Sequence, residues 1–371
     1  MKQIKSVALI VLVIAVLLGG CSKKTVDTPN DAPTSLNTIE SGDYSTVQPF
    51  NVSPTRASHG LYLGKLDLIT IDKRLLAYSK SYFSPKSYSV SEGQIITNDV
   101  YSMLLKKYDA NTNIYGLNPE TSDTPVYLDG GKTISMVNPI LVEDIIEKNF
   151  YKNSSLGTVA GISIAVVMRT EQIINSSTGE TALFDDALLY QYGQQIANKL
   201  SNYLRSEQAD KVGDLPIYVA IYATASQNSY LPGHFLGGAY YESREAASFT
   251  AINESWIMLT SDAAQKTQQS LSSQFSFVKL EIQRFITNES PGFVGRALIV
   301  DNAVSELYIE VSGGFKSYTE VNALAQKINS LLSNFGDYSY PISIEIKNYT
   351  DILMTMKSDG YQSDTVSIWV N

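Results

Sequence analysis

Gly161-Ile162-Ser163-Ile164-Ala165-Val166-Val167 is the stretch on which the fold turns, because it returns in altered form as Leu307-Tyr308-Ile309-Glu310-Val311. Both alternate along the chain with the period of two expected of a strand. A helical stripe follows each: Leu189, Tyr192, Ile196, Leu200 and Tyr203 after the first, and Val321, Leu324, Ile328, Leu331, Leu332 and Phe335 after the second. The stripes match at one constant offset, Leu189 with Val321, Ile196 with Ile328, Leu200 with Leu332 and Tyr203 with Phe335. Each then gives way to a strand in which proline stands second, Leu215-Pro216-Ile217-Tyr218-Val219-Ala220-Ile221-Tyr222 and Tyr340-Pro341-Ile342-Ser343-Ile344-Glu345-Ile346. A helix between two such strands returns the chain so that both lie in one sheet. The fold class is therefore α+β: two related repeats, each with strand-helix-strand units and a mixed or antiparallel sheet packed by helices. The competing reading is that two amphipathic helices followed by strands resemble each other without common descent.

Asp185 or Asp186 supplies an N-cap for the first helix, and Ser317-Tyr318-Thr319-Glu320 has capping-box spacing for the second. Further elements precede each unit. Leu75, Leu76, Tyr82 and Phe83 share one helical face, a helix is expected near Asn98 to Lys107, and a long one from about Ser261 to Phe285. Gly233, Gly237 and Gly238 loosen the chain around Gln227 to Gly238, which places the division between repeats there. The expected organisation is 1–20 signal peptide, 21–51 flexible tether, 52–227 first repeat and 228–371 second repeat.

The N-terminus reads as an export signal. Lys2 and Lys5 precede the apolar run from Val7 to Leu18, and Leu18-Gly19-Gly20-Cys21 places small residues before the chain's one cysteine. This is lipobox spacing: Cys21 is the expected acceptor of a diacylglyceryl group, with cleavage before it. Two acyl chains hold a protein at a bilayer where one does not, since each buried methylene contributes about 0.8 kcal/mol. The alternatives are an ordinary secretory signal or an uncleaved anchor, and the run falls short of the ~20 residues a spanning helix needs. From Ser22 to about Asn51 the chain is rich in Ser, Thr, Asp, Asn and Pro, the composition of a tether.

Composition excludes several partners. Without Lys2 and Lys5 the chain has 26 basic against 37 acidic residues, a charge of −11. Nucleic acid needs a basic footprint and is excluded as a partner, and the expected membrane link is the lipid rather than charge. With one cysteine and two histidines, His59 and His234, no metal or cofactor motif is present in the sequence. Both histidines lie in loop-like stretches and read as solvated turn residues. The pairs Asp67 with Asp72 and Asp185 with Asp186 leave open carboxylate-dependent wall hydrolysis, although caps and solvated faces account for such pairs as well.

The 24 tyrosines are the compositional excess. Tyr218 and Tyr222 point away from the stripe of Ile217, Val219 and Ile221, so a one-sided sheet would expose them. With Tyr230 and His234 they form the expected ligand surface, suited to wall glycan or peptide because a phenol joins an apolar face to a polar tip. Packing within the strands is the alternative.

Tyr82-Phe83-Ser84-Pro85, Tyr88, Glu92-Gly93-Gln94, Gly116-Leu117-Asn118-Pro119, Pro125-Val126-Tyr127-Leu128, Gly161-Ile162-Ser163-Ile164 and Leu231-Pro232-Gly233-His234-Phe235 together resemble the CamS family of sex-pheromone-precursor lipoproteins of Gram-positive bacteria. The likeness runs over most of the chain. It implies a surface lipoprotein with two related repeats, held on the extracytoplasmic face of the cell membrane, and the lack of catalytic motifs makes a non-enzymatic body the expectation beside it. It further implies a signal peptide trimmed to a short pheromone sensed in conjugation, here about Ile14 to Gly20. That segment has no aromatic residue and ends in Gly19-Gly20, unlike the family's known peptide.

Overall fold

Two six-stranded sheets built to one plan carry the molecule. The computed structural model describes residues 32–370 apart from 60–64, 121–122, 129–130, 138, 227–228, 245–246 and 287–289. The signal, Leu18, Gly19, Gly20 and Cys21, and Gln227 of the expected repeat boundary lie outside the described residues.

In chain order, β1 (Thr34–Ser35) and β2 (Val47–Gln48) precede α1 (Lys65–Ser79), β3 (Tyr88–Glu92) and α2 (Asn98–Leu104). Then come β4 (Asp123–Leu128), β5 (Thr133–Val137), β6 (Val142–Lys152), β7 (Ser155–Met168), β8 (Glu171–Asn175) and β9 (Glu180–Leu183). After these follow α3 (Asp186–Glu207), α4 (Ala209–Val212), β10 (Ile217–Ala223), β11 (His234–Tyr241) and β12 (Phe249–Ala251). The second half runs β13 (Glu254–Met258), α5 (Asp262–Thr267), α6 (Gln269–Phe285), β14 (Gly292–Val300) and β15 (Ala303–Gly313). It closes with α7 (Tyr318–Leu331), β16 (Ile342–Asn348), β17 (Asp351–Ser358) and β18 (Val366–Trp369).

The first sheet is ordered β3-β6-β7-β10-β11-β12 and the second β13-β14-β15-β16-β17-β18. In each, one central pair is parallel, β7 with β10 and β15 with β16, and every other neighbour is antiparallel. Ile162 stands opposite Ile217, and Leu307 opposite Ile342. The ladders even begin with the same bond: Ile162 N–H donates to the Pro216 carbonyl and Leu307 N–H to the Pro341 carbonyl, both at 3.0 Å. Proline has no N–H of its own but keeps its carbonyl, so it fits this first position of a strand. The two repeats are thus related strand by strand.

The apolar stripes end where expected. Leu189, Ile196 and Leu200 of α3 bury against Ile162, Ile164, Val166, Ile217, Val219 and Ile221. Val321, Leu324 and Ile328 of α7 do the same against Leu307, Ile309, Val311, Ile342, Ile344 and Ile346. Asp185 caps α3 by accepting from Leu188 N–H at 2.7 Å. Ser317 and Glu320 close a full capping box on α7, satisfying amide groups the helix itself leaves unpaired. The first repeat also carries an insertion, a four-stranded sheet ordered β5-β4-β9-β8.

Three expectations give way. The division between sheets falls between Ala251 and Glu254 rather than at 227/228, because β11 and β12 hydrogen-bond onto β10. Gly237 and Gly238 are close-approach glycines: a Cβ would lie 2.6 Å from the Phe249 ring at one and 2.7 Å from Tyr218 Oη at the other. The stretch assigned to the tether is docked from Tyr44 to Gln48. Tyr44 and Val47 are buried, Tyr44 Oη donates to the Phe83 carbonyl, and Val90 N–H donates to the Ser45 carbonyl at 2.8 Å. Two apolar side chains in a polar stretch were enough to fasten it. Lastly, the long helix from Ser261 is broken at Gln268 (φ −135°, ψ 49°) into α5 and α6.

Candidate functional site at the junction of the two repeats

The face of the first sheet opposite α3 is covered by α1. Ile71 and Leu75 of that helix, with Phe83 just beyond it, pack on Ala165, Val167, Ala220 and Phe150. Tyr218 and Tyr222 are under this cover, 3% and 0% exposed. The exposure on which their ligand-binding role rested is absent, because a helix that precedes them by more than a hundred residues closes the face. Tyr222 Oη donates to Asp67 at 2.5 Å, and Gly233 N–H donates to the same oxygen at 2.7 Å. Burial, then the Asp67 charge, hold the Tyr222 phenol far above its ordinary range. Gly233 has no room for a side chain, since a Cβ would sit 2.0 Å from the Ala223 carbonyl oxygen.

Of the other two expected ligand residues, Tyr230 is 82% exposed, while His234 Nε2 lies 3.0 Å from Asp186. That bond holds the Asp186 carboxyl below its usual range. The four residues do not form one surface. The carboxylate pairs part in the same way: Asp67 serves Tyr222 and Gly233, Asp72 pairs with Lys148 at 2.7 Å, Asp185 caps α3 and Asp186 meets His234.

The other side of α1 is ionic and faces the second repeat. Arg74 Nε donates to Glu254 at 2.9 Å, Tyr78 Oη donates to the same carboxylate, and Phe235 N–H reaches its other oxygen at 3.3 Å. Burial alone would lower the Arg74 guanidinium, but the Glu254 charge and the Tyr78 contact outweigh it and hold it above its usual value. Beside this pair, Lys73 Nζ donates to Glu306 at 2.6 Å and to Tyr308 Oη at 3.1 Å, and Tyr308 in turn donates to Glu306. One helix is therefore a wall of the first repeat and an ion-pair partner of the second.

The shared register allows the two sheets to be compared residue by residue. Across the first runs Glu92, Lys148, Ser163, Tyr218 and Tyr240, and at the same level across the second Met258, Arg296, Tyr308, Ser343 and Lys357. Lys148 is closed in by Glu92 at 2.8 Å from the neighbouring strand and by Asp72 from α1. Burial raises the Asp72 carboxyl, and the Lys148 charge only partly offsets this. Arg296 occupies the place of Lys148, with Met258 where Glu92 stands. It lies over the Tyr308 ring, 5.4 Å from the centroid, and its Nε is a buried donor with no partner. Trp256 packs against the same ring at 5.7 Å, and its Nε1 is a second such donor.

His59, read from the sequence as a solvated turn residue, belongs to a further network. Its Nε2 is 2.8 Å from Thr55 Oγ1 and its Nδ1 2.8 Å from Asp144, which also accepts from Tyr101 Oη at 2.9 Å. The order hydroxyl, imidazole, carboxylate is that of a nucleophilic triad. Thr55, however, is 3% exposed and shares its hydroxyl with Ser53 at 2.8 Å, so the arrangement works as a clasp holding residues 53–59 to the first sheet. Sequence reasoning missed this network as well as Lys73, Arg74, Glu254 and Glu306. The available signal was the row alignment of Lys148 with Arg296, once the repeats were extended one strand backwards.

Sheet order, parallel central pair and bridging helix define a class, the duplicated α+β body in which α1 serves both halves. The family model described as CamS sex pheromone cAM373 precursor matches residues 50–359, and the chain belongs to that family. Among solved structures, it is similar to a sex pheromone precursor from Lactobacillus salivarius subsp. salivarius UCC118. The two are 22% identical with a TM-score of 0.77, over 92% of this chain and 99% of that one. It is also similar to the C-terminal domain of the sex pheromone staph-cAM373 precursor from Staphylococcus aureus, at 21% identity and a TM-score of 0.64 over 81% and 95% of the two chains. No curated protein matches it. Among the described residues, no helix is long and apolar enough to cross a membrane.

Proposed function

We propose that this chain is a diacylated surface lipoprotein anchored through Cys21 at the outer face of the cell membrane, and that the end of its signal, Ile14 to Gly20, is released as a conjugation pheromone. The observation that carries the reading is Leu18-Gly19-Gly20-Cys21 closing an apolar run in a chain of this family. The body is read as non-catalytic: the carboxylates of the expected pairs, Asp67, Asp72, Asp185 and Asp186, go to a phenol, an ion pair, a helix cap and a histidine. A short uncharged apolar peptide crosses membranes and fits an apolar receptor pocket, which suits the released segment to signalling.

Cys21→Ala tests the anchor. Fatty-acid label should vanish from the variant, and label that persists would overturn lipidation at Cys21. Synthetic Ile14 to Gly20 peptide and mature protein, run side by side in a transfer assay, test the message. The peptide should elicit the response, weakly in responders tuned to an aromatic-containing peptide, and a response to mature protein alone would overturn the assignment.

A further inference from the structure

We propose that β18 pairs edge to edge with β18 of a second copy of the chain, antiparallel about a two-fold axis at Ile368, so that the second sheets of two molecules join into one. A strand at the rim of a sheet leaves a row of N–H and C=O groups unpaired, and folds blunt such rims with charge, proline, bulges or cover. Two of the four rims of the large sheets are covered: β3 lies beside Thr46, and β13 meets the first repeat where Glu254 accepts from Phe235 N–H. At a third, β12, the one large side chain is Phe249, whose ring turns in onto Tyr190. In the second repeat β18 holds the place of β12. From Thr365 to Val370 it has no charged side chain and no proline, and its register with β17 runs unbroken. Val370 N–H turns inward to the Leu353 carbonyl at 3.0 Å, so by alternation the N–H and C=O groups of Ser367 and Trp369 point outward.

The sequence of β18 is complementary to itself. With the axis at Ile368, Ser367 and Trp369 of one copy exchange N–H···O bonds with Trp369 and Ser367 of the other, through the groups that point outward. Val366, Ile368 and Val370 share one face and are 59%, 61% and 47% exposed. The axis sets Ile368 against its copy and Val366 against Val370, so each gains an aliphatic neighbour. On the other face Trp369 carries Tyr318 stacked at 4.6 Å, and the two stacks become diagonal neighbours across the axis. Charge does not oppose the pairing. Asp364, the nearest acid along the strand, stands about 26 Å from its copy at ~3.3 Å per residue, and Glu345, two strands in, about 24 Å at ~4.8 Å per strand. Both separations exceed the Debye length of about 8 Å. Lys357, opposite Val366, is already paired with Glu40 and Asp359. A strand of unrelated sequence supplies the hydrogen bonds but neither matched face.

One strand a side is well below the roughly 20–30 residues of a standard interface, so the association is weak. The test is sedimentation of the whole chain in density-matched detergent, over a concentration series to about 100 μM. We expect a reversible monomer–dimer equilibrium whose dissociation constant rises about tenfold or more in Ile368→Asp, with the melting temperature of the dilute monomer unchanged because that side chain is exposed. Mild oxidation of single-cysteine variants made in Cys21→Ala, which removes the one native cysteine, reads the register. Ile368→Cys should cross-link, since opposed residues that do not exchange hydrogen bonds have Cα atoms about 4.5 Å apart, within disulfide reach. Val366→Cys should not, because it and its copy are offset by about 13 Å. A dissociation constant unchanged in Ile368→Asp, or cross-linking at Val366→Cys as fast as at Ile368→Cys, would overturn the proposal. So would a chain that stays monomeric throughout, which would leave the rim to a strand of another protein.

Discussion

The row through Lys148 and the row through Arg296 occupy the same place in two copies of one sheet, yet one is sealed and the other is not. In the first repeat, α1 lies over the sheet, Tyr218 fills the space beneath it, and the lysine is held between Asp72 and Glu92. In the second, the matching positions are Ser343, Arg296 and Met258, and α1 meets that sheet only by its edge, through Lys73 to Glu306 and Arg74 to Glu254. Duplication preserved the ladders, down to the proline carbonyl that starts each parallel pair. What diverged is the cover. A single helix cannot close two sheet faces at once, so α1 meets the second only along one edge, while Glu40 of the N-terminal segment pairs with Lys357 across the same row.

The largest expected effect comes from breaking the join between the copies. Glu254→Ala leaves Arg74 buried without its anion, which typically costs 3–5 kcal/mol, about four to seven degrees of melting temperature in a body of this size. Calorimetry of the variant beside Arg74→Ala checks this, and a loss of under two degrees in both would mean that α1 is not coupled to the second sheet. Next in size is the contrast between the rows. Lys148→Met strips two half-buried carboxylates of their partner and should destabilise by about 2 kcal/mol, whereas Arg296→Met removes an orphaned donor and should be neutral or stabilising. Equal losses in the two would erase the distinction between sealed and open rows.

The smallest effect is a slope. Glu147 in the first sheet is almost wholly buried, and burial raises its carboxyl even though Ile96 and Ile95 N–H and the Asn149 amide bond to it and pull the other way. A carboxyl raised on folding contributes stability that is fully present below its unfolded value, about 4.3, and is lost as pH rises through the folded one. The melting temperature of the wild type minus that of Glu147→Gln should therefore decline as pH is raised from about 4. A difference that grows with pH would show that the bonds to the carboxylate outweigh its burial.

The repeated units were legible because each element carries its own period. Alternation in Ile162 to Val167 and the 3.6-residue stripe from Leu189 to Tyr203 are local properties, and the offset to Val321 through Phe335 needs no knowledge of contacts. Cover is not local. Tyr218 and Tyr222 alternate as outward residues should, and nothing near them in sequence announces that Ile71 and Leu75 close over them. The same limit hid Arg74 with Glu254, 180 residues apart, and the clasp between His59 and Asp144. Glycine was ambiguous for a related reason: Gly237 and Gly238 loosen an isolated chain, but here they admit the rings of Phe249 and Tyr218. Tyr44 and Val47 were passed over because a polar composition averaged across thirty residues hides two anchors within it.

Those two anchors also determine how the body would bear load. A pull arriving from upstream of Pro33 first meets β1, which is joined to β2 by a short antiparallel ladder and can be opened one bond at a time. Beyond it the chain is stitched alongside β3 in the parallel sense, Thr46 beside Val90, with Tyr44 wedged onto Phe83 and Phe150. There the strain is shared among several contacts and enters the heart of the first repeat. The hairpin would act as a yielding link in series with a rigid mount, so that tension at the N-terminus is spent on β1 before it disturbs the sheets.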